Sequence, residues 1–277
     1  MKVHFTKMHG TGNDFIVVDC RRSELRDPSG FATKYCNRRF GVGADQLLLL
    51  YPSDVADFKM KIYNADGSEV EMCGNGIRCF AKYIWDRNIS SKQILDVETL
   101  GGIVRPERSG DNVKVDMGEP VLDPQRIPVN LQLPAPVVDY PMSIGGREFK
   151  LTFVSMGNPH AVIFLDEDIW KFPVGTYGPQ IENHPLFPKR TNVEFVNVKS
   201  RDNLAMRVWE RGSGETLACG TGATATAIAA MIKKLAERQV SVRLTGGDLL
   251  IKWENNNHAY MTGPAVEVFE GEIRNDR

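Results

Sequence analysis

The sequence predicts a mixed α/β fold of two pseudo-symmetric lobes, made by internal duplication, with one site in the cleft between them. Three observations carry this. Met72-Cys73-Gly74-Asn75-Gly76 and Ala218-Cys219-Gly220-Thr221-Gly222 are the same device written twice, each opening a helical stretch. A shift of 146 positions carries Cys73 onto Cys219, and with it Gln46 onto Asn192, Asn64 onto Glu210, Glu69 onto Glu215, Gly74 onto Gly220 and Gly76 onto Gly222. A shift of 145 carries Gly12-Asn13 onto Gly157-Asn158. Polar loop stations that recur in order at near-constant spacing mark a repeated unit, and corresponding loops of such a pair face each other across a cleft.

The elements follow in order. Val3 to His9 alternates weakly and Phe15 to Asp19 is apolar, so the chain opens with strands around the tight turn His9-Gly10-Thr11-Gly12-Asn13-Asp14. Pro28 to Arg38 reads as a helix, with Asp27 as N-cap and proline at its first position. A glycine-rich turn, Gly41 to Gln46, precedes the strand Leu47 to Leu50. Phe58 to Tyr63 alternates and delivers Asn64. After the turn Asn64-Ala65-Asp66-Gly67 comes the first cysteine helix, to about Asn88, with Ile77, Phe80, Ala81 and Ile84 on one face. Short strands fill Val97 to Met117.

Six of the chain's 15 prolines then fall between Pro120 and Pro141, which sets the domain boundary there: residues 1–118 form the first lobe and 119–263 the second. In the second lobe, apolar runs near Phe149 to Val154 and Ala161 to Leu165 flank Ser155-Met156-Gly157-Asn158-Pro159-His160. A proline-bearing loop runs to Asn192, and strands Val193 to Val198 and Leu204 to Trp209 follow. The second cysteine helix runs to about Leu235. Its stretch Ala223 to Ala230 is small on every face, as befits a core helix surrounded by sheet. Strands near Val240, Leu249 and Ala259 close the lobe.

Composition sets limits on function. With 277 residues, a net charge of −1 and ordinary apolar content, the chain is neither disordered nor a general binder of nucleic acid or anionic membrane. Its N-terminus lacks the apolar core of a secretory signal, and its longest apolar run is strand-sized, so it reads as soluble and cytoplasmic. Five cysteines, an odd number, speak against a disulfide framework. Neither CxxC nor HExxH occurs, so no metal site is expected.

Helix mouths supply the chemistry. Each cysteine precedes a Gly-x-Gly that opens a helix, where backbone N–H groups lack intrahelical partners and favour an anion. A substrate carboxylate fits there, and the same field should lower the thiol pKa towards neutrality. One thiolate and one thiol on opposite faces of a carbon are the parts for inverting a stereocentre. One removes the proton, and the other returns a proton from the far side. The two would titrate as a coupled pair. Cys20, Cys36 and Cys79 read instead as small buried residues.

Read together, His9-Gly10-Thr11-Gly12-Asn13-Asp14-Phe15, Met72-Cys73-Gly74-Asn75-Gly76-Ile77-Arg78-Cys79, Gly157-Asn158-Pro159-His160, and Glu210-Arg211-Gly212 through Ala218-Cys219-Gly220-Thr221-Gly222 resemble the diaminopimelate epimerase family. The similarity spans essentially the whole chain. It implies two α/β lobes, each a mostly antiparallel sheet wrapped around a central helix, with the C-terminal tail 264–277 joining the first lobe. It implies a cofactor-independent enzyme that interconverts LL- and meso-2,6-diaminopimelate, in lysine and peptidoglycan-precursor synthesis, and works as a homodimer. Position by position, it makes Cys73 and Cys219 the acid/base thiols. Asn13, Gln46, Asn64, Asn158 and Asn192 would bind substrate polar groups, and Gly74-Asn75 and Gly220-Thr221 would cradle the reacting carboxylate. Glu210 and Arg211 would contact substrate, with Arg211 suited to the distal carboxylate. His160 and Glu210 would tune the thiols. One departure is Phe269, where many members carry a tyrosine at their dimer contact.

Rival readings are a proline-type racemase or related isomerase on the same fold, a thiol-disulfide oxidoreductase, and a non-catalytic amino-acid-binding protein. Glu210-Arg211 argues against the first, because a proline ring offers no second charged end. The second predicts a reversible disulfide during turnover, and the third predicts dispensable cysteines.

Overall fold

The structure, a computed structural model, describes residues 2–274. In chain order its elements are β1 (Lys2–Gly10), β2 (Asn13–Asp19), α1 (Pro28–Tyr35), β3 (Gln46–Tyr51), β4 (Phe58–Asn64), β5 (Glu69–Val70), α2 (Gly74–Asp86), β6 (Val97–Thr99), β7 (Gly102–Val104), β8 (Pro106–Ser109) and β9 (Asn112–Asp116). There follow β10 (Tyr140–Ile144), β11 (Arg147–Ser155), β12 (Pro159–Phe164), α3 (Val174–Glu182), β13 (Asn192–Ser200), β14 (Asn203–Glu210), β15 (Gly214–Thr216), α4 (Gly220–Ile232), β16 (Gln239–Leu244), β17 (Gly247–Trp253), β18 (Ala259–Gly263) and β19 (Val266–Arg274). The chain divides into two compact units, Met1–Val115 with Thr262–Arg277, and Asp116–Met261.

In the first unit the strand order is β19-β1-β2-β3-β4-β6-β7, with β5 on β4. The pair β2–β3 is parallel, as is β4–β6, and the other pairs are antiparallel. Strand β19 runs along β1 with Lys2 opposite Arg274, so the chain's return segment completes this sheet. Residues 275–277 of the expected tail lie outside the described residues. Helix α2 packs on β1, β2 and β3 through Ile77, Phe80, Ala81 and Ile84, all buried. Asp27 caps α1 by accepting from the Gly30 amide at 2.9 Å, and Pro28 follows it at the first helical position.

The second unit's sheet runs β10-β11-β12-β13-β14-β16-β17-β18, with β15 on β14. Its pairings copy the first: β12–β13 and β14–β16 are parallel, while β11–β12, β13–β14, β14–β15 and β16–β17 are antiparallel. Each unit therefore builds strand, turn, strand, helix, strand pair, cysteine helix and strand pair in one order. Helix α4, buried along almost its whole length, is flanked by β11, β12, β13, β14, β16 and β17. Its alanines and threonines let sheet approach from every side.

One expectation fails inside the proline-bearing loop before Asn192, which contains α3. Two glycines and two prolines obscure it, and its N-cap Pro173 makes no side-chain cap bond. Packing sustains it: Val174 and Ile181 join the core around Phe153 and Phe195, and Gly178 lies so close to Trp209 that a Cβ there would meet Cγ at 2.5 Å. The prolines between 120 and 141 belong to a covering segment that sends Ile127, Val129 and Val137 into the same core.

Candidate active site

Each unit carries its own version of one device, a cysteine at a helix mouth. Cys73 is the N-cap of α2, with extended backbone (φ −139°, ψ 117°), and its Sγ accepts from the Gly76 amide at 3.4 Å. Cys219 caps α4 with φ −130° and ψ 111°, and its Sγ accepts from the Gly222 amide, also at 3.4 Å. N-caps ordinarily place an oxygen here. A sulfur in that position faces the positive end of the helix, where the first-turn amides gather.

The glycines are explained by close approach. A Cβ on Gly222 would lie 2.8 Å from Glu194 Oε1 and 3.3 Å from Cys219 Sγ, and one on Gly76 would lie 3.3 Å from Leu48 Cδ2 and Cys73 Cβ. Strands β13 and β3 pass directly beneath the two helix mouths.

In the first unit, Asn13 Oδ1 lies 3.6 Å from Cys73 Sγ and accepts from Asn75 Nδ2 at 3.3 Å. Gln46 Nε2 donates to Asn64 Oδ1 at 2.9 Å, and Asn64 Nδ2 donates to Ser68 Oγ at 3.0 Å. Gln46 Oε1 is buried and has no hydrogen-bond partner among the described residues. In the second unit, Asn158 Nδ2 donates to Thr221 Oγ1 at 3.3 Å, and that hydroxyl lies 3.4 Å from Cys219 Sγ. Asn192 Nδ2 donates to Pro159 O at 2.8 Å while its Oδ1 accepts from the Arg211 amide at 2.9 Å. Asn192 thus fastens the turn that presents the exposed Arg211, whose Nη1 donates to Lys189 O at 3.3 Å. Glu210 Oε1 accepts from the Thr216 hydroxyl.

Beneath the mouths the units differ. The first has Phe15 and Leu48 under Gly76. The equivalent positions of the second hold His160 and Glu194, both wholly buried, with Nδ1 2.7 Å from Glu194 Oε1. The other ring nitrogen, Nε2, lies 2.9 Å from Asn158 Oδ1. The expected lowering of the cysteine pKa does not hold for Cys219. Burial pushes that thiol well above its ordinary value, the Glu210 charge adds to this, and the bonds from Thr221 and Gly222 fall short of compensating. Burial likewise raises Glu194, against the pull of His160. Cys20, Cys36 and Cys79 are buried free thiols away from the helix mouths, with Cys36 and Cys79 pushed up to about 12 by burial.

Two features escaped the sequence reading. One is Glu194, whose only sign was a lone charge in the mostly apolar stretch Val193 to Val198 after Asn192. The other is a clamp around Asn13. Asn13 Nδ2 donates to Asp45 Oδ2 at 2.8 Å, and the Asp14 and Asp45 amides donate to each other's carboxylates at 3.1 and 3.0 Å. Burial would raise the Asp14 carboxyl, but Arg38 and Lys7 hold it well below the usual range. In α2, the fully buried Arg78 donates to Gly74 O and Pro264 O, both at 3.2 Å, tying the helix mouth to the returning segment. Among the described residues no group of three or more His, Cys, Asp or Glu side chains could hold a metal ion, and no helix is long and apolar enough to cross a membrane.

Comparison with known proteins adds the following. A family model described as diaminopimelate epimerase matches residues 5–122 and 152–268. A diaminopimelate epimerase of Acetivibrio thermocellus is 54% identical over 277 residues, covering 98% of each chain. One of Methanococcus maripaludis is 50% identical over 275 residues, covering 97% of this chain and 99% of its own. Among solved structures, a hydroxyproline epimerase from Agrobacterium vitis superposes with a TM-score of 0.70 at 14% identity, covering 100% of this chain and 93% of that one. A PhzF-family phenazine biosynthesis protein of Bacillus anthracis gives 0.71 at 14% identity, with 99% of each chain covered. These two likenesses concern the fold.

Proposed function

The chain belongs to the diaminopimelate epimerase family, and from that premise we propose that it inverts one α-carbon of 2,6-diaminopimelate with two thiols, Cys73 and Cys219. Its activity is that of an amino-acid epimerase, interconverting the LL and meso isomers. The observation that carries the two-thiol reading is the repeated N-cap: two cysteines in different units share one backbone conformation and one amide-to-sulfur bond at a glycine-flanked helix mouth.

In the forward half of the reaction, one cysteine enters as thiolate and takes the α-proton, leaving the electron pair on carbon and its carboxylate. The other enters as thiol and returns a proton to the opposite face. The enzyme ends with the two protonation states exchanged, so the reverse reaction starts from the product form. First-turn amides at Gly74-Asn75 and Gly220-Thr221 stabilise the charge that develops on the carboxylate. Asn13, Gln46, Asn64, Asn158 and Asn192 fix the polar groups of the substrate, the unpartnered Gln46 Oε1 being ready to accept from an ammonium. Arg211 takes the distal carboxylate, and Glu210 and His160 tune Cys219 and its surroundings. Cys219, held protonated by burial and by Glu210, is the resting acid.

The chain is further proposed to act as a homodimer in the reducing cytoplasm. Five free thiols suit that compartment. The edge strand β19 exposes Val266, Val268 and Phe269, an apolar strip suited to a second copy. Phe269 packs edge-on against Phe5 at 5.9 Å.

The test is incubation of reduced protein with LL-diaminopimelate in deuterated water without added cofactor. Deuterium should enter the α-position and the meso isomer should appear. Cys73→Ala and Cys219→Ala should each abolish epimerisation. Full activity in either variant would sink the two-thiol mechanism.

A further inference from the structure

The His160–Glu194 pair has no counterpart in the first unit, where Phe15 and Leu48 fill the same two positions. Both side chains have no exposed surface, and Glu194 Oε2 is buried without a hydrogen-bond partner among the described residues. Burying two ionisable groups costs more than the apolar pair used in the other unit, so the protein keeps them against stability. What they hold is visible in the hydrogen bonds. Asn158 spends its NH2 on Thr221 Oγ1, so the atom facing His160 Nε2 at 2.9 Å is its carbonyl oxygen, and Nε2 must donate. The proton between Nδ1 and Glu194 Oε1, 2.7 Å apart, then belongs to the pair. Imidazolium with carboxylate and imidazole with carboxylic acid have the same net charge and the same Nε2 donor.

The geometry points to Glu194 as a positioning residue: its carboxyl holds His160 with Nε2 as donor, which fixes Asn158 with its NH2 towards Thr221 and so sets the hydroxyl that contacts the Cys219 sulfur. The sequence of contacts is Glu194, His160, Asn158, Thr221, Cys219, at 2.7, 2.9, 3.3 and 3.4 Å. The titratable groups facing Glu194 are His160 on β12, Glu210 on β14 and Cys219 at the N-cap of α4. Without a partner at Nδ1, a neutral imidazole can place its one hydrogen on either nitrogen, and Asn158 loses its fixed orientation. The inference rests on the two-thiol reading for its catalytic meaning.

Three variants test it. Glu194→Gln can still donate to Nδ1 through its amide, so Nε2 stays a donor, and kcat should stay within about threefold of the parent. Glu194→Leu offers nothing to Nδ1. Its kcat should fall about thirtyfold while KM changes less than about threefold. His160→Phe with Glu194→Leu copies the apolar pair of the first unit and supplies a well-packed, folded control should Glu194→Leu fail to fold.

A second readout needs no turnover. Alkylation of Cys219 by iodoacetamide, taken as a ratio to Cys73 in the same sample by peptide mass spectrometry, should shift about tenfold in Glu194→Leu and in the double variant. In Glu194→Gln it should stay within about twofold. An unchanged ratio in Glu194→Leu or the double variant overturns the assignment. So does near-parental kcat in folded Glu194→Leu, or a Glu194→Gln as impaired as Glu194→Leu. If the parent protein fails to epimerise diaminopimelate, the proposed function falls, and the alkylation ratio still decides the role of Glu194.

Discussion

Cys73 and Cys219 share a backbone conformation and a cap bond, and they differ in what lies around the sulfur. Cys73 is partly exposed, whereas Cys219 is 6% exposed. A helix mouth favours thiolate by a fraction of what full burial costs an anion, so at Cys219 burial wins, and the Glu210 charge pushes the same way. Thiolate formation at Cys219 therefore requires a pH above the ordinary thiol value. Glu210→Gln removes a negative charge that opposes ionisation, so the Cys219 pKa should fall and its thiolate should appear at lower pH. The measurement is the alkylation rate of Cys219 as a function of pH, which follows the thiolate fraction. In Glu210→Gln the midpoint should move down, because a negative charge that disfavours the thiolate has gone. A midpoint unchanged or higher would mean that Glu210 does not face the sulfur as a charge. The two cysteines were legible in the sequence because a thiol followed by Gly-x-Gly appears twice. The sign of the pKa change was not, because it depends first on how deeply the fold buries the sulfur.

The helix mouths also differ in what their glycines allow. A methyl group on Gly222 would press on Glu194 Oε1 at 2.8 Å, an atom held in place by His160. One on Gly76 would meet Leu48 Cδ2 at 3.3 Å, the end of an aliphatic side chain that can give by a few tenths of an ångström. Gly222→Ala should destabilise by about 1–3 kcal/mol and cost most of the activity, whereas Gly76→Ala should cost less than about 1.5 kcal/mol. Urea unfolding of both variants checks this, and equal losses would show that neither floor is rigid. Elements with local signals were readable: the Asp27-Pro28 start of α1, the alternation of β4, and the all-small face of α4. Helix α3 was not, because Pro173, Gly175, Gly178 and Pro179 all argue against a helix locally. Contact with Trp209 and with the core around Phe195 holds it. That unread helix serves the site. Its Glu182 accepts from the Gly212 amide at 2.8 Å and from Trp209 Nε1 at 2.7 Å, which braces the turn bearing Arg211.

At the scale of the molecule, the two units repeat the same succession of parallel and antiparallel pairs. The repeat was visible in the sequence because polar stations sit at loop ends, where residue type is set by function, at spacings set by strand length. What lies beneath the helix mouths left no such trace, since Phe15 and Leu48 in one unit stand where His160 and Glu194 stand in the other. The fold buries Cys36, Cys79 and Cys219 deeply, and this has a thermodynamic result. Burial raises Cys36 and Cys79 from the usual 9.0 to about 12 and pushes Cys219 up as well. Unfolded, these thiols ionise near their ordinary values, so between 9.0 and about 12 the folded chain binds more protons than the unfolded one. Stability must then fall as pH rises through that window, by about 1.4 kcal/mol per pH unit for each such thiol. Tyr51, Tyr63 and Tyr83, also raised by burial, act in the same direction. Urea unfolding at a series of pH values from about 8 to about 10.5 should show stability declining steadily above the ordinary thiol pKa. Cys79→Ala should lower stability at neutral pH but make the alkaline decline shallower, because one proton difference is gone. A stability that is flat across that range, or a slope untouched by Cys79→Ala, would mean that these thiols ionise as readily in the folded chain as in the unfolded one.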